Sequence, residues 1–309
     1  MSKVVVITGG VGGAKLALGL QAILAPGDLF AIVNTGDDFE HFGFAISPDI
    51  DTLTYTLAGK AHRANGWGRE DESWNFMAAL RELGGEDWFS LGDRDLALHA
   101  MRTQQLRAGR TLSDVTAAIA RSFASPTHIL PMSDQRVSTI VDTPDGALPF
   151  QHYFVRDRCE PAVRAIRFDG AVDARPSPAV LDILADGEVS AILIAPSNPY
   201  LSIDPILAVP GMVDAIRRSA APVVAVSPIV GGQAVKGPTA KLMGELGLTV
   251  SHATIAAHYE GIIDGLLIDR ADPRAPLGLP HDETDTLMTT DADKQRVAHA
   301  ALALAERLR

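Results

Sequence analysis

The sequence has very little cysteine and no long apolar run. Cys159 is the only cysteine among 309 residues, which excludes an internal disulfide bond and any zinc or iron site built from several thiolates. The apolar run near the start spans only about five residues and lies within a strand pattern, so it predicts neither a signal peptide nor a membrane-spanning helix. We therefore expect a cytoplasmic protein with no membrane partner.

Positive charge is also scarce. The chain carries 27 Lys and Arg residues against 38 Asp and Glu residues, giving a net charge of −11. An acidic surface does not attract nucleic acid or an anionic membrane, so neither is an expected partner. A small anionic ligand is still compatible, because a local basic group or a bound metal ion would neutralise it inside a pocket.

The familiar motifs of acyl transfer and zinc hydrolysis are absent. The sequence has no Ser-His-Asp order, no Gly-x-Ser-x-Gly turn and no His-Glu-x-x-His pair. Group transfer at phosphorus depends on positioning and charge neutralisation more than on a covalent nucleophile. Group transfer at phosphorus is the reaction class that remains once acyl transfer and zinc hydrolysis are set aside.

The most informative feature that is present is an apolar strand running into a glycine loop. The predicted strand Lys3–Thr8 is followed by a predicted helix over residues 12–24. Glycine lets the backbone approach an anion closely, and the amide groups at the start of a helix attract it. We expect this loop to bind the phosphates of a nucleotide through Gly9, Gly10, Gly12, Gly13 and Lys15. The run matches neither G-x-G-x-x-G nor the P-loop, and an ordinary tight turn is the alternative.

Strands alternate with helices at both ends of the chain, which predicts an α/β fold: a Rossmann-like, doubly wound, mainly parallel sheet. Between the two ends, helical stretches and a β-hairpin around the turn 144–146 interrupt this alternation. We interpret the chain as a single discontinuous domain over residues 1–309. Its core covers about 1–60 and 186–309, with an insertion at about 61–185.

The unusual loops of the chain follow predicted strands. Ligands of open parallel sheets bind beyond the carboxyl ends of the strands, so we expect four loops to meet at one edge. They are the glycine loop, Gly36–Asp38, the loop with Ser197, Asn198 and Pro199, and the segment 227–237 with Ser227, Lys236 and Gly237.

Acidic residues cluster around the second predicted strand. Asp37 and Asp38 follow the strand over residues 29–34, while Asp49 and Asp51 lie at the expected start of a helix. Mg²⁺ prefers one or two carboxylates together with substrate oxygens and water, so two aspartates from neighbouring loops suit it. Helix capping is the alternative for Asp49 or Asp51.

A second polar group lies at the start of a predicted helix over residues 94–108. Asp95 and His99 are four residues apart and share one face of that helix. Arg94 suits bidentate binding of a phosphate or carboxylate, and a surface ion pair with Asp93 or Asp95 is the alternative.

Three other residues are weaker candidates. Asp134 follows a short predicted strand, either as part of another loop at the same edge or as the polar start of the hairpin. Trp67 and Trp74 would provide an aromatic surface for a flat ring, although packing in the core is the default for both.

These residues together resemble a known family, the 2-phospho-L-lactate transferases of coenzyme F-420 biosynthesis. The resemblance extends over nearly the whole chain and keeps its motifs in one order. It rests on the segments Gly9–Lys15, Asn34–Asp38, Ser47–Thr52, Leu91–Asp95, Leu130–Asp134, Ala195–Pro199 and Asp285–Met288.

The resemblance implies an enzyme that transfers a phosphorylated three-carbon acid from a guanosine diphosphate ester to the ribityl hydroxyl of a deazaflavin, releasing GMP. The acid would be lactate, enolpyruvate or glycerate. It further implies a Mg²⁺-dependent homodimer in which Asp37 and Asp51 flank metal and acceptor, with Arg94 near the acceptor. The glycine loop, Ser197–Pro199 and 227–237 would hold the guanosine diphosphate.

In this mechanism Asp51 would orient or deprotonate the hydroxyl, and Arg94 would stabilise the departing phosphate. Further substrate contacts are expected from Asp49, Asp93 and Asp134. The main alternative is a regulatory protein of the same fold that binds nucleotide sugars without catalysis. A dinucleotide-dependent oxidoreductase is a weaker alternative, because the dinucleotide pattern is incomplete.

Overall fold

The computed structural model describes residues 2–62, 66–234, 237–273 and 276–309. Its strands are β1 Lys3–Thr8, β2 Leu29–Val33, β3 Phe39–His41, β4 Phe44–Ile46, β5 His128–Pro131, β6 Ser138–Thr143, β7 Gly146–Pro149, β8 Ala165–Asp169, β9 Val189–Ile194, β10 Val223–Val226, β11 Ile229–Val230, β12 Gln233–Ala234, β13 Gly265–Asp269 and β14 His281–Thr284. Its α-helices are α1 Gly10–Ile23, α2 Pro48–Leu57, α3 Asn75–Glu82, α4 Asp93–Arg107, α5 Leu112–Ser122, α6 Pro178–Leu184, α7 Asp204–Leu207, α8 Met212–Arg218, α9 Thr239–Glu245, α10 His252–His258 and α11 Asp291–Arg307. None of these helices is both long enough and apolar enough to cross a membrane, as far as the described residues extend.

A seven-stranded parallel sheet forms the centre of the molecule, in the order β14-β13-β10-β9-β1-β2-β5. The chain runs outward in both directions from β1, so the strand order reverses beside β1, as it does in doubly wound folds. All of β10 and nearly all of β1 and β9 is buried, because helices cover both faces of the sheet. The predicted Rossmann-like α/β fold is confirmed.

Helices α1 and α11 cover one face of the sheet. Leu16 and Leu20 of α1 and Leu304 of α11 are each at most 1% exposed and pack in one cluster with Val4 and Val6 of β1. Complete burial of a leucine side chain contributes about 1.5–3 kcal/mol to folding. The sequence predicts a closing helix over about 291–308 that covers the sheet, and α11 confirms it.

The segment predicted as an insertion is not separate from the sheet. Strand β5 lies within 61–185, yet it pairs with β2 in parallel register, where Ile129 opposes Ala31. The rest of this segment contains α3 to α5 and a small antiparallel sheet in the order β7-β6-β8. The predicted hairpin is confirmed, since β6 and β7 pair across the turn between Thr143 and Gly146.

Two local features differ from the expectations. Ser113 precedes a helical pattern and is predicted from the sequence to cap this helix. In the structure α5 is capped by Thr111, whose side chain accepts a hydrogen bond from the Asp114 amide, so the predicted helix start was too late. Strands β13 and β14 were not expected. The run Gly265–Asp269 is entirely buried, and such a short apolar run does not distinguish a strand from a helix.

Candidate active site

A single cavity of about 670 Å³ lies at the carboxyl ends of the parallel strands. All four loops that follow β1, β2, β9 and β10 contribute to its wall, so the expected convergence at one edge is confirmed. The candidate residues that line it are Gly9, Gly10, Gly12, Lys15, Asp37, Asp49, Asp51, Ser197, Asn198, Ser227 and Gly237. Lys236 lies outside the described residues.

The glycine loop packs closely against the loop after β9. The Gly9 amide donates to Ser197 Oγ at 3.3 Å, and that hydroxyl donates to the Gly9 carbonyl at 2.7 Å. A Cβ on Gly12 would lie 2.7 Å from the Pro196 carbonyl oxygen, and one on Gly13 would overlap the Thr8 hydroxyl. These two glycines are therefore required by packing, and Gly13 does not line the cavity.

The start of α1 keeps backbone donors for an anion. No side chain caps this helix at Gly9, and the following residues Val11 and Gly12 both line the cavity. The first amides of a helix have no acceptor within the helix and lie at the positive end of its dipole. This end of the cavity therefore suits a phosphate group.

Asp49 accepts a hydrogen bond from one of the backbone amides of the glycine loop. Its Oδ1 accepts from the Gly10 amide at 2.8 Å and its Oδ2 accepts from Asn34 Nδ2 at 3.0 Å. Burial raises the pKa of Asp49 to about 6, although these hydrogen bonds favour the ionised form. Asp49 does not cap α2, so the capping alternative is wrong for this residue.

Asp37 is the least satisfied acidic group of the cavity. Its side chain is buried, and its Oδ1 has no hydrogen-bond partner among the described residues. Burial, and next the charge of Asp49, hold the pKa of Asp37 well above its ordinary value. Two neighbouring carboxyl groups without a cation are a costly arrangement, which a bound divalent cation would relieve.

Asp51 has a different environment, because α4 supplies an arginine to it. Arg102, which is completely buried, donates from Nη1 to Asp51 Oδ2 at 3.0 Å and from Nη2 to Oδ1. His99 Nδ1 lies 3.7 Å from Asp51 Oδ2, and burial lowers the pKa of His99 to about 4. The sequence analysis missed Arg102. The spacing of buried residues along α4 at Leu98, His99 and Arg102 is the signal that marks it.

Several predicted site residues do not line the cavity. Arg94 is exposed, and its Nη1 donates to the Glu70 carbonyl at 3.4 Å. Asp93 accepts hydrogen bonds at the start of α3, from Ser73 Oγ and the amides of Asn75 and Phe76, and the Ser73 bond contributes most to lowering its pKa to about 2. Neither residue lines the cavity, because Asp93 bonds to Ser73 and the first residues of α3 and Arg94 to the Glu70 carbonyl. Their contact with a ligand stays a prediction.

Asp134 and Pro199 also support the structure from outside the cavity wall. Asp134 Oδ1 accepts from the Ser113 amide at 2.7 Å, at the start of α5. Pro199 is buried and begins a π-helical turn over residues 199–203, which Asn198 caps by accepting from the amides of Tyr200 and Leu201. Asn198 lines the cavity, whereas Asp134 and Pro199 do not.

Lys15 and Ser227 do line the cavity and hold its wall together. Lys15 Nζ donates to the Met288 carbonyl at 2.6 Å, which joins α1 to the segment after β14. Ser227 Oγ accepts from the Ile229 amide at 3.2 Å. Lys15 thus brings its positive charge to the phosphate end of the cavity while it fixes a neighbouring loop.

Part of the cavity wall is aromatic. Trp67 lines it and is 52% exposed, so the default of core packing is wrong for this residue, and Trp74 is 48% exposed outside the cavity. The sequence analysis missed the other aromatic residues of this wall, which are Trp88, Phe89, Phe150 and Phe154. The rings of Phe150 and Phe154 stack with centroids 5.2 Å apart. Flat aromatic faces of this kind suit a planar ring.

The profile of the family described as "2-phospho-L-lactate transferase CofD" matches residues 4–307. The chain belongs to the CofD family. It is 42% identical over 319 residues to a phosphoenolpyruvate transferase of Kitasatospora aureofaciens, covering 99% of each protein. It is 41% identical to a phosphoenolpyruvate transferase of Streptomyces coelicolor, with 99% of each covered, and 37% identical to one of Mycolicibacterium smegmatis, with 98% of each covered.

This CofD family member shares its fold with a solved protein of Bacillus halodurans. The two agree with a TM-score of 0.65 at 18% sequence identity, covering 97% of this chain and 99% of the other. A second structure of that protein, described as a member of the UPF0052 family, agrees with a TM-score of 0.62. The family and the names of its relatives show that the chain is a transferase of phosphate-containing groups and support a role in coenzyme F-420 biosynthesis.

Proposed function

We propose that this protein transfers a phosphorylated three-carbon acid from a guanosine diphosphate ester to the ribityl hydroxyl of a deazaflavin and releases GMP. The observation that carries this proposal is one cavity whose wall combines the glycine loop at the start of α1, a group of aspartates and several aromatic rings. A substrate with a diphosphate and a substrate with a flat ring would thereby be held in the same cavity. The geometry thus suits the transfer reaction of the family resemblance.

The phosphate end would hold the donor. The amides of Val11 and Gly12 at the start of α1 would bind the diphosphate, with Lys15 contributing positive charge. Asn198 and Ser227 lie at the same edge of the sheet and would contact the nucleoside. These amides and Lys15 would stabilise the negative charge that develops on the departing GMP phosphate. They would take over this role from Arg94, which is exposed.

The donor acid is proposed to be enolpyruvate. The relatives at 37–42% identity are named phosphoenolpyruvate transferases, and they cover almost the whole chain. Lactate and glycerate are the two other acids implied by the family resemblance. They differ from enolpyruvate by a double bond or a hydroxyl group, so they are the appropriate competitors.

We propose Mg²⁺ as the metal of this reaction, with Asp37 as its principal protein ligand. In the described parts of the chain no three His, Cys, Asp or Glu side chains are arranged to hold an ion by themselves. Mg²⁺ needs only one or two carboxylates when substrate phosphates complete its coordination, so the pair Asp37 and Asp49 fits it. Both oxygens of Asp51 bind Arg102, which makes Asp51 the poorer ligand. When bound, the ion would neutralise charge on the phosphates of the donor.

The direct test is a product assay by mass spectrometry. Purified protein is incubated with deazaflavin, Mg²⁺ and one of the three guanosine diphosphate esters at a time. We expect the deazaflavin to gain a phosphoenolpyruvyl group while equimolar GMP appears. Absence of product with all three donors would refute the transfer reaction.

A binding titration separates the alternative functions. We expect GDP to bind, and a UDP-sugar and NAD to bind far more weakly. Preferential binding of a UDP-sugar without turnover would support the regulatory function instead. The homodimer implied by the family resemblance remains a proposal, which light scattering of the purified protein tests.

A further inference from the structure

Asp95 is a cavity residue to which the transfer reaction as described gives no role. It is the third residue of α4, and its amide donates to Glu72 Oε1 at 3.0 Å. Glu72 Oε2 also accepts from the Arg94 amide at 2.8 Å, so Glu72 satisfies the start of this helix. The side chain of Asp95 is therefore not needed as a cap, and it lies in the cavity wall.

One oxygen of the Asp95 carboxyl group lacks a hydrogen-bond partner among the described residues. Its Oδ1 is buried and makes no hydrogen bond within the described part of the chain, and the hydroxyl of Tyr55 beside it is also without a partner. A buried acceptor left unpaired costs about 1–3 kcal/mol, so native proteins rarely keep one without a reason. A donor brought by a ligand would satisfy Asp95.

The charged groups around Asp95 leave it able to accept a proton. Burial raises the pKa of Asp95 to about 6, and the charges of Asp51 and Glu72 act in the same direction. The neighbouring Tyr55 hydroxyl and the Arg69 guanidinium oppose this rise. His99, one turn further along α4, is neutral near pH 7 because burial lowers its pKa to about 4.

Asp51 is less suited to this task. Both of its oxygens accept hydrogen bonds from the buried guanidinium of Arg102, so its lone pairs are engaged. His99 Nδ1 lies 3.4 Å from the same guanidinium. Of the polar groups that α2 and α4 bring to this end of the cavity, Asp95 is the one with an unpaired carboxylate oxygen.

The position of Asp95 also fits the path of the acceptor. The aromatic residues Trp88 and Phe89 line the cavity directly before the start of α4. A flat ring stacked on that wall would extend its hydroxyl-bearing chain past Asp95 towards the phosphate end. Because Asp95 lines the same cavity, we expect the first turn of α4 to lie near the point where the two substrates meet.

We propose, on the basis of the proposed function, that Asp95 accepts a hydrogen bond from the primary hydroxyl of the acceptor alcohol and takes its proton during the transfer. The alcohol O–H bond breaks, and its oxygen forms a bond to the phosphorus that carries the three-carbon acid. The bond from that phosphorus to the bridging oxygen breaks, and its electron pair leaves with GMP. The proton on Asp95 then passes to water.

The test compares Asp95→Asn with a matched control, Asp114→Asn. Asp114 is likewise the third residue of its helix, α5, but it is exposed and does not line the cavity. Removal of a general base typically lowers the rate by 10²–10⁴-fold. We expect kcat of Asp95→Asn to fall by at least about 100-fold. Its KM for the guanosine diphosphate ester should stay within about threefold of wild type, and Asp114→Asn should behave like wild type.

The pH profile distinguishes a proton acceptor from a merely structural residue. Since a base acts only when deprotonated, kcat of the wild type should fall as the pH drops through about 6, and Asp95→Asn should lose this dependence. Circular dichroism and GDP titration verify that the variant is folded. Tyr55→Phe serves as a second variant, which keeps the carboxylate and should retain the pH dependence.

The outcomes separate the two proposals. Product from the wild type and comparable turnover by Asp95→Asn would overturn the role of Asp95 and leave the transfer reaction in place. Unchanged pH dependence in Asp95→Asn would overturn it as well. No product from the wild type with any of the three donors would overturn both proposals together.

Discussion

Arg102 on α4 binds both carboxylate oxygens of Asp51 on α2, and its side chain has no exposed surface. The pair joins the two helices that carry the acidic residues of the cavity. Arg102 also lies near Asp38, so its one guanidinium group interacts with the carboxyl groups of both Asp51 and Asp38. Asp51 is thus part of the framework of the site as well as its lining.

Breaking this pair should destabilise the protein. Arg102→Met leaves Asp51 buried without a counter-charge, and we expect the free energy of unfolding to fall by about 3–5 kcal/mol. Urea denaturation measures this free energy of unfolding. The double variant Arg102→Met/Asp51→Leu should recover much of the loss. The control Arg167→Gln removes an exposed pair with Asp169 and should change stability by less than about 1 kcal/mol. A loss of unfolding free energy of similar size in Arg102→Met and Arg167→Gln would contradict the structural role of the Arg102–Asp51 pair.

The close contact of the glycine loop predicts the effect of one added methyl group. A Cβ on Gly12 would lie 2.7 Å from the Pro196 carbonyl oxygen, so Gly12→Ala must move α1 away from the loop after β9. We expect a loss of stability of about 1–3 kcal/mol and GDP binding at least about tenfold weaker, by calorimetry. Gly187→Ala is the control, because its Cβ would meet nothing within 4 Å. Unaltered GDP affinity in Gly12→Ala would place the nucleotide elsewhere.

Asp37 should determine the response to Mg²⁺. If Asp37 is the principal ligand, Asp37→Asn removes most of the stabilisation that the ion and GDP together give to the wild type in thermal melting. Without ligands the same variant should be more stable than wild type at neutral pH, because burial keeps the pKa of Asp37 high and its ionisation costly. Glu40→Gln, on the exposed part of β3, is the control. An equal Mg²⁺ response in wild type and Asp37→Asn would exclude Asp37 as the ligand.

The contribution of Asp95 to stability should fall as the pH rises from about 4 to 6. Asp95 binds a proton in the folded state up to about pH 6, whereas in the unfolded chain it loses the proton near 3.8. Its raised pKa therefore favours the folded state below pH 3.8, and this advantage is lost by about pH 6. The size is on the order of 2–3 kcal/mol. Asp95→Asn should flatten this part of the profile of unfolding free energy against pH. The same slope in variant and wild type would show that Asp95 ionises normally.

The aromatic wall predicts weaker acceptor binding without loss of the fold. Phe154 is 40% exposed yet lines the cavity and stacks on Phe150. Removing a stacking partner of a flat ring costs about 1–3 kcal/mol, so Phe154→Ala should bind deazaflavin about tenfold more weakly. Leu83→Ala removes an apolar side chain that is 86% exposed and does not line the cavity, so it should have no effect. Equal deazaflavin affinities of Phe154→Ala and the wild type would show that the ring binds to another part of the cavity wall.

The sequence alone was sufficient for the parallel α/β arrangement and for the position of the cavity, but not for strands β13 and β14. The alternation of apolar strands with helices and the glycines after β1 are local patterns, and parallel strands place their following loops at one edge. Asp95 and His99 could likewise be placed on one face, because a helical spacing of four is fixed by backbone geometry. The motifs of the family are also short contiguous segments, so they were recognisable in the sequence.

Only the tertiary structure decided which of these residues face the ligand and which hold the framework. Arg102 meets Asp51 across 51 residues of sequence, Gly10 meets Asp49 across 39, and Gly9 meets Ser197 across 188. No local pattern records such contacts, because hydrogen bonds and charge pairs between distant segments form only after the helices have packed. The packing turned Arg94 and Asp93 away from the cavity and paired Asp51 with Arg102. It left one carboxylate oxygen each of Asp37 and Asp95 without a partner among the described residues.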